Sequence, residues 1–263
     1  MTQSVSRALQ LLALFGPRNT QWTVTDLARE SGLHKSVVTR LMATMAASGF
    51  VVQDSVSKSY GVGPRAFTVG TAYRPYTLLN RVARPIMQDI TSRCGYATSL
   101  GVPAGDKYVY LMATESDRAV RVAREMGELL DYHANATGRV LLADLPDDEI
   151  RALIGPDPLP KVTPYTVDSY DQLMLEIRSI RERGISFNRE EAALGAGGVA
   201  CPIRNDEGRC VAGLSVVYPI HVVSDEEIGR IADSVRDGAV RISERIGSFS
   251  GLVLVPSLAT RGS

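Results

Sequence analysis

The chain has 263 residues, 44% apolar and 22% charged, with 29 basic and 29 acidic side chains. That length accommodates two domains, and the composition is ordinary for a globular protein. No run of about 18 apolar residues exists, which excludes a helical membrane span. The opening Met-Thr-Gln-Ser-Val-Ser-Arg lacks the apolar core of a signal peptide. Cys94, Cys201 and Cys210 are odd in number and show no Cys-x-x-Cys spacing, and there are only three histidines, His34, His133 and His221. A disulfide framework, a structural zinc site and a cofactor are therefore not expected, and the reducing cytoplasm is the expected location.

Taken in order, the chain predicts a helix from about Ser4 to Phe15, with Val5, Ala8, Leu9, Leu12 and Phe15 on its inner side and Gly16-Pro17 as its stop. A second helix starts at Thr23, where Asp26 three residues on makes an acidic variant of the capping box. Gly32 ends it, being free to take positive φ. A third helix follows from His34 to Ser48, with Val38, Leu41, Met42 and Met45 as an apolar stripe. Its other face carries Lys35, Ser36, Thr39, Arg40 and Ala43: cations, hydroxyls and a methyl, suited to phosphates, base edges and thymine methyls. Phe50-Val51-Val52 and Tyr60-Gly61-Val62 read as two strands of a hairpin with Lys58 near its tip. Helix, glycine turn, helix and hairpin in that order make a winged helix-turn-helix.

Charge agrees with this reading. Residues 1–65 hold seven cations, Arg7, Arg18, Arg29, Lys35, Arg40, Lys58 and Arg65, against Asp26, Glu30 and Asp54, a net of +4. The remaining 22 basic and 26 acidic residues give residues 66–263 a net of −4. A basic N-terminal part on an acidic body suits one nucleic-acid surface attached to something else.

Pro64–Tyr73 reads as a short helical connector, and a helix from Leu78 to Cys94 follows, with Pro85 as a kink or restart. From Ala97 the pattern changes to strands: Thr98–Val102, Tyr108–Thr114 and Val120–Arg124. Helices at Ala136–Ala143 and Asp147–Ile154, a proline-rich loop and a helix at Ser169–Arg183 come next. Strands at Ile185–Asn188, Val199–Arg204 and Val211–Tyr218 precede a last helix opened by the capping box Ser224-x-x-Glu227. The sum is a largely antiparallel α+β domain. The expected division is a winged helix-turn-helix domain over 1–65, a linker over 66–77, a ligand-sensing domain over 78–247 and a frayed tail over 248–263.

Several sequences invite a catalytic reading. Gly195-Ala196-Gly197-Gly198 lacks the Lys-Ser/Thr of a P-loop and is expected to be a flexible turn. Gly213-Leu214-Ser215 begins like a nucleophile elbow, but Val217 replaces the second glycine. His133 is expected to be a structural hydrogen-bonding residue, and Asp147-Asp148-Glu149 to favour a helix N-terminus through the dipole. An enzyme with an appended nucleic-acid module remains the alternative to an effector-controlled regulator. A purely architectural DNA binder is a third.

The chain resembles the isocitrate lyase regulator (IclR) family of bacterial transcription factors over nearly its whole length. The match is carried by Ser6-Arg7-Ala8-Leu9, Leu27-Ala28-Arg29-Glu30-Ser31-Gly32-Leu33, Lys35-Ser36, Arg40-Leu41, Gly49-Phe50 and Gly63-Pro64-Arg65. It continues more patchily through Val120-Arg121-Val122, His133-Ala134, Gly138-Arg139, Arg181-Glu182-Arg183-Gly184, Glu190-Glu191 and Leu214-Ser215-Val216. The resemblance implies an N-terminal winged helix-turn-helix, a linker helix and a C-terminal GAF-like effector-binding domain. It also implies dimerisation through the N-terminal part, often with pairing of dimers into tetramers, a double-stranded DNA operator, and more often repression than activation. Arg7, Lys35, Ser36, Thr39, Arg40, Lys58 and Arg65 are the expected DNA-contacting residues. The effector, a small organic acid, is expected at Ala119, Val122, Leu130, Ala136, Thr137, Asn188, Ala196, Gly198, Ser215 and Val217. Members that bind small acids tend to carry an acidic residue at the place of Asn188, Cys or Ser at Gly198, and Ser-x-Ser at Ser215-Val216-Val217. These departures imply a roomier, less polar pocket and an aromatic or longer aliphatic acid.

Overall fold

The computed structural model describes residues 2–17, 19–72, 74–116, 118 and 126–247, with the backbone alone at 74–77. The chain divides into two compact units at Arg74/Pro75, which places the helical connector with the N-terminal unit. No helix among the described residues is long and apolar enough to cross a membrane.

The first unit holds α1 (Gln3–Leu12), β1 (Gln21–Trp22), α2 (Val24–Ser31), α3 (Lys35–Ala47), β2 (Val51–Gln53), β3 (Tyr60–Val62) and α4 (Pro64–Thr71). Thr23 caps α2: its hydroxyl accepts from the Asp26 amide at 3.2 Å and donates to the Asp26 carboxylate at 2.7 Å. Gly32 ends α2 at φ +68°, the left-handed conformation that glycine adopts without a Cβ penalty. Leu11, Leu27, Val38, Met42, Met45, Val51 and Tyr60 form the core. On α1 the expected inner face is corrected. Val5 and Leu9 are 57% and 61% exposed, while Leu11 is fully buried. The helix carries more apolar residues than one face can hold, and only the face of Ala8, Leu11 and Leu12 meets the core. The hairpin gains a third strand, since β1 pairs with β3 through Gln21–Gly61 and Trp22–Tyr60. Two residues are too few to show a strand period.

The second unit runs α5 (Arg74–Cys94), β4 (Thr98–Ala104), β5 (Lys107–Ala113), β6 (Leu129–Leu130), a 3-10 turn (Tyr132–Ala134) and α6 (Ala136–Leu142). It continues with α7 (Asp147–Ile154), α8 (Tyr170–Arg183), β7 (Ser186–Arg189), β8 (Ala196–Arg204), β9 (Cys210–Pro219) and α9 (Asp225–Gly247). The six strands form one antiparallel sheet in the order β6-β5-β4-β9-β8-β7. The expected strand Val120–Arg124 and the tail 248–263 lie outside the described residues.

Three expectations are corrected here. Pro85 does not restart a helix: α5 is continuous through it. Proline forfeits one backbone bond, but Val82, Ala83, Ile86, Met87 and Ile90 anchor both sides of it in the same core. Ala196, Gly197 and Gly198 are not a turn but open β8, and only Gly195 turns, at φ +75°. The Ser224 box is half made. The Ser224 hydroxyl accepts from the Glu227 amide at 3.2 Å, while the Glu227 carboxylate pairs with Arg118 at 3.2 Å.

Side chains alternate across a sheet, and the two faces differ. One presents Leu100, Met112, Val199, Cys201, Ile203, Leu214 and Val216 to an aliphatic core shared with Ile86 and Ile90 of α5 and Val235 and Ile242 of α9. Burial in that core pushes the Cys201 thiol up to about 12. The other face offers Ser99, Gly101, Asn188, Gly198, Ala200, Gly213, Ser215 and Val217, paired across the strands as Ser99–Ser215, Gly101–Gly213, Ala200–Ser215, Asn188–Gly198 and Gly198–Val217. Helix α6 lies against this face, and Val140 and Leu142 join it to a second core with Ile150 of α7 and Leu173 and Ile177 of α8.

Candidate functional site

In the first unit exposure divides α3 in two. Val38, Met42 and Met45 are buried, whereas Lys35, Ser36, Thr39 and Arg40 are exposed. Its N-terminus is capped by His34, whose Nδ1 accepts from the Ser36 amide at 3.3 Å and meets the Ser36 hydroxyl at 2.8 Å. The Thr39 hydroxyl donates to the Lys35 carbonyl at 2.9 Å, leaving its oxygen lone pairs for an outside donor. Arg40 and Lys35 form no ion pair among the described residues. Lys58 stands at the hairpin tip with φ +57°. The turn before it is built on Asp54, whose carboxylate accepts from the amides of Val56 at 3.0 Å and Ser57 at 2.6 Å. The Ser57 amide, foremost among these bonds, holds the Asp54 carboxyl below its ordinary range. Arg65 is exposed but has work inside the molecule. Its guanidinium donates to the Ser48 carbonyl at the C-terminus of α3 at 3.4 Å. Arg7 on α1 is half-buried.

In the second unit six of the expected effector residues line one cavity: Ala136, Thr137, Asn188, Gly198, Ser215 and Val217. Tyr110 and Asn135 join them, two residues the sequence did not single out. Both come from elements whose spacing marks them only as strand and cap. Leu130 lies elsewhere, paired with Tyr108 and packed on the second core. Ala196 is outside the lining too, at the start of β8 opposite Pro219. Ala119 and Val122 fall outside the described residues.

The cavity follows from small residues. Thr137 of α6 rests on the sheet because Gly101 and Gly213 bear no side chain. A Cβ there would come within 2.7 and 3.0 Å of the Thr137 methyl. A hydroxyl chain runs along its edge: Asn135 donates to the Tyr108 hydroxyl, Tyr108 donates to the Tyr110 hydroxyl at 3.3 Å, and Tyr110 meets Thr137 Oγ1 at 3.2 Å. Asn135 Oδ1 also caps α6 by accepting from the Gly138 amide at 3.1 Å. Asn188 spends its carbonyl on the Glu191 amide at 3.2 Å, and its buried amide nitrogen has no partner. Ser99 Oγ is likewise buried without a partner, while Ser215 makes only a 3.4 Å bond to the Ser99 carbonyl. No lining residue is charged. The space amounts to about 10 Å³, room for about one water, so the expected roomier pocket is corrected. Gly101 and Gly213, which played no part in that expectation, let α6 close onto the sheet.

Behind the cavity, Arg139 of α6 is fully buried. It donates to both Glu191 carboxylate oxygens and, at 2.9 Å, to the Phe187 carbonyl. It ties α6, the source of Thr137, to β7, the source of Asn188. Nothing local in the sequence signals this pairing across 52 residues. His133 Nε2 bonds the Pro160 carbonyl at 2.9 Å, as befits the structural role expected of it. Burial pushes the Tyr132 phenol up, keeping it a neutral donor to the Gly105 carbonyl at 3.2 Å.

The sequence matches two family models, "IclR helix-turn-helix domain" over residues 4–55 and "Bacterial transcriptional regulator IclR C-terminal" over residues 75–244. The chain belongs to the IclR family of bacterial transcriptional regulators. It is 30% identical over 245 residues to the HTH-type transcriptional regulator XynR of Escherichia coli K12, covering 93% of this chain and 97% of that one. It is 27% identical over 245 residues to the HTH-type transcriptional repressor AllR of the same strain, covering 93% and 90%. A putative IclR regulator from Silicibacter superposes with a TM-score of 0.85 at 25% identity over 97% of this chain and all of that one. An IclR homologue from Microbacterium hydrocarbonoxydans, complexed with 4-hydroxybenzoate, superposes with a TM-score of 0.78 at 25% identity over 94% of this chain and all of that one. The relatives are regulators, and the chain is an IclR-type DNA-binding regulator rather than an enzyme.

Proposed function

We propose that this regulator represses a catabolic operon and is released or tightened on its operator by a small organic acid held between α6 and the sheet. The observation that carries the effector half is the donor set. Asn188 Nδ2 is buried without a partner, and Thr137, Tyr110 and Ser215 supply hydroxyls around a lining with no charge of either sign. A carboxylate placed there meets donors and no repelling carboxylate. Burying it without donors would be costly. The first-turn amides of α6, at Ala136 and Thr137, are free of helical partners and favour negative charge. Asn188 in place of an acidic residue suits an anion.

Size orders the candidates. A two- or three-carbon acid needs the least expansion of a cavity this small. An aromatic acid is the second reading, favoured by the 4-hydroxybenzoate in the Microbacterium hydrocarbonoxydans relative, and it requires α6 to move off the sheet. Repression is the reading favoured by the relative AllR, a transcriptional repressor.

On the DNA side, Ser36, Thr39 and Arg40 are assigned to base edges. Lys35, Lys58, Arg7 and Arg65 are assigned to phosphates, with Arg65 also holding the end of α3. A dimer reading two half-sites selects a palindrome with half-sites one helical turn or a multiple apart. Selection from a random duplex library with the purified protein tests this. Arg40→Ala is expected to relax one position of the selected site by about 1–3 kcal/mol of discrimination. It should weaken binding to random duplex far less. Equal loss on selected and random DNA removes Arg40 from base readout.

A further inference from the structure

We propose that His34 is a positioning residue for operator readout: it holds the Ser36 hydroxyl as a hydrogen-bond acceptor, so that α3 reads an exocyclic amino group, of adenine or cytosine, where Ser36 meets the DNA. The proposal rests on the assignment of Ser36 to a base edge and fixes which class of edge is read.

The polarity follows from one backbone group. His34 Nδ1 lies 3.3 Å from the Ser36 amide nitrogen and 2.8 Å from the Ser36 hydroxyl oxygen. A backbone amide only donates. The amide therefore assigns Nδ1 as the acceptor and places the proton of a neutral ring on Nε2. A proton on Nδ1 would meet the amide hydrogen head-on. With Nδ1 accepting, the hydroxyl donates to it, and what Ser36 presents outward is oxygen lone pairs. A serine without such a partner turns its hydroxyl to serve as donor or acceptor alike. Here the hydrogen is committed, in the one bond the hydroxyl makes among the described residues beside its own amide contact.

The next hydroxyl on that face is polarised the same way by different means. Thr39, three residues on and beside Ser36 on the helix surface, donates to the Lys35 carbonyl at 2.9 Å. Arg40, four residues from Ser36, only donates. His34, Ser36, Thr39 and Arg40 are all exposed. The face thus offers two acceptors and then a donor. In the major groove the donors are adenine N6 and cytosine N4, while guanine O6 and N7 and thymine O4 accept. An acceptor on the protein set against a carbonyl oxygen leaves both without a partner, and that mismatch supplies the discrimination.

His34 also caps α3, so the test must separate readout from helix stability. The full-length protein first selects its operator from a random duplex library, and the base pair whose preference disappears in Ser36→Ala marks the contact. Synthetic duplexes then delete one group of that pair at a time. The amino group is removed with purine for adenine or pyrimidin-2-one for cytosine, and the carbonyl oxygen with 5-methylpyrimidin-2-one for thymine or 2-aminopurine for guanine. Affinities come from fluorescence anisotropy, and the same duplexes with Ser36→Ala subtract the cost to the DNA itself. Deleting the amino group should weaken wild-type binding about fivefold beyond the Ser36→Ala baseline, the effect of one ordinary hydrogen bond, and deleting the oxygen less than about twofold. His34→Ala should bind every duplex more weakly through the lost cap, with the amino penalty reduced below about twofold. His34→Asn, whose Oδ1 accepts at an N-cap as Nδ1 does, should restore the penalty. A full amino penalty in His34→Ala overturns the positioning role. So does a penalty absent from His34→Asn as completely as from His34→Ala. A penalty on the oxygen instead of the amino group overturns the polarity. Each of these leaves Ser36 on a base edge. If Ser36→Ala selects the same operator as wild type, that assignment fails and the proposal falls with it.

Discussion

The two faces of the six-stranded sheet share one backbone and carry opposite chemistry. Toward α5 and α9 the strands present Leu, Ile, Val and Met, with core residues such as Leu100, Leu214 and Val216 fully buried. Toward α6 the same strands present Ser99, Gly101, Asn188, Gly198, Gly213 and Ser215, and two of the buried polar atoms there lack partners. The first face gains from burial and has little chemistry to offer. The second gives up apolar contact for donors and for space. What stabilises the unit and what we propose holds the ligand are thus placed on opposite sides of strands β4, β8 and β9, one residue apart in sequence.

That contrast can be broken at its strongest point. Arg139 is the exception on the polar face, a buried charge whose partner Glu191 is also largely buried. Removing one member of a buried pair typically costs about 3–5 kcal/mol. Arg139→Met should therefore destabilise the protein by that amount in chemical denaturation. A loss under about 1 kcal/mol would mean that α6 is held by its apolar contacts alone. On the aliphatic face, Leu214→Ala should cost about 2–5 kcal/mol with the DNA affinity of the folded protein unchanged. The smallest effect sharpens the comparison most. Ser215 is the next residue along, and its hydroxyl makes only one long bond. Ser215→Ala should shift stability by less than about 1 kcal/mol while reducing the response to the effector. A loss as large as that of Leu214→Ala would erase the distinction between the faces.

The regions also differ in how openly their sequence declared them. The DNA-binding unit was legible because its signals are local. Thr23 and Asp26, Gly32, and the split of α3 into Val38-Met42-Met45 and Lys35-Ser36-Thr39-Arg40 all lie within one or two helical turns. What escaped there was the tertiary choice among apolar residues on α1, where Leu11 and not Leu9 faces the core. In the second unit the elements α7, α8 and β9 could be read from caps and periodicity. The cavity was read through family resemblance, because it joins Tyr110, Thr137, Asn188 and Ser215 from four separated segments. Its width was misjudged for a physical reason. Gly198 in place of a larger residue reads as open space in a sequence, but Gly101 and Gly213 let Thr137 of α6 settle onto the sheet beside it. Arg139 with Glu191 has no local pattern at all.

The most direct test of the account joins the two units in one titration. DNA affinity is measured by fluorescence anisotropy on the selected operator, with and without each of a panel of small organic acids that includes pyruvate and 4-hydroxybenzoate. Wild type is compared with Gly198→Val, whose Cβ has room at 3.4 Å from the Val216 carbonyl and whose methyls occupy the cavity. Thermal unfolding checks that the variant is folded. At least one acid should change wild-type affinity by about 5–150-fold, the usual range of coupling between sites. Gly198→Val should bind the operator as wild type does and ignore that acid. A folded Gly198→Val that still responds in full, or a wild-type protein whose operator affinity no acid in the panel alters, would contradict the account.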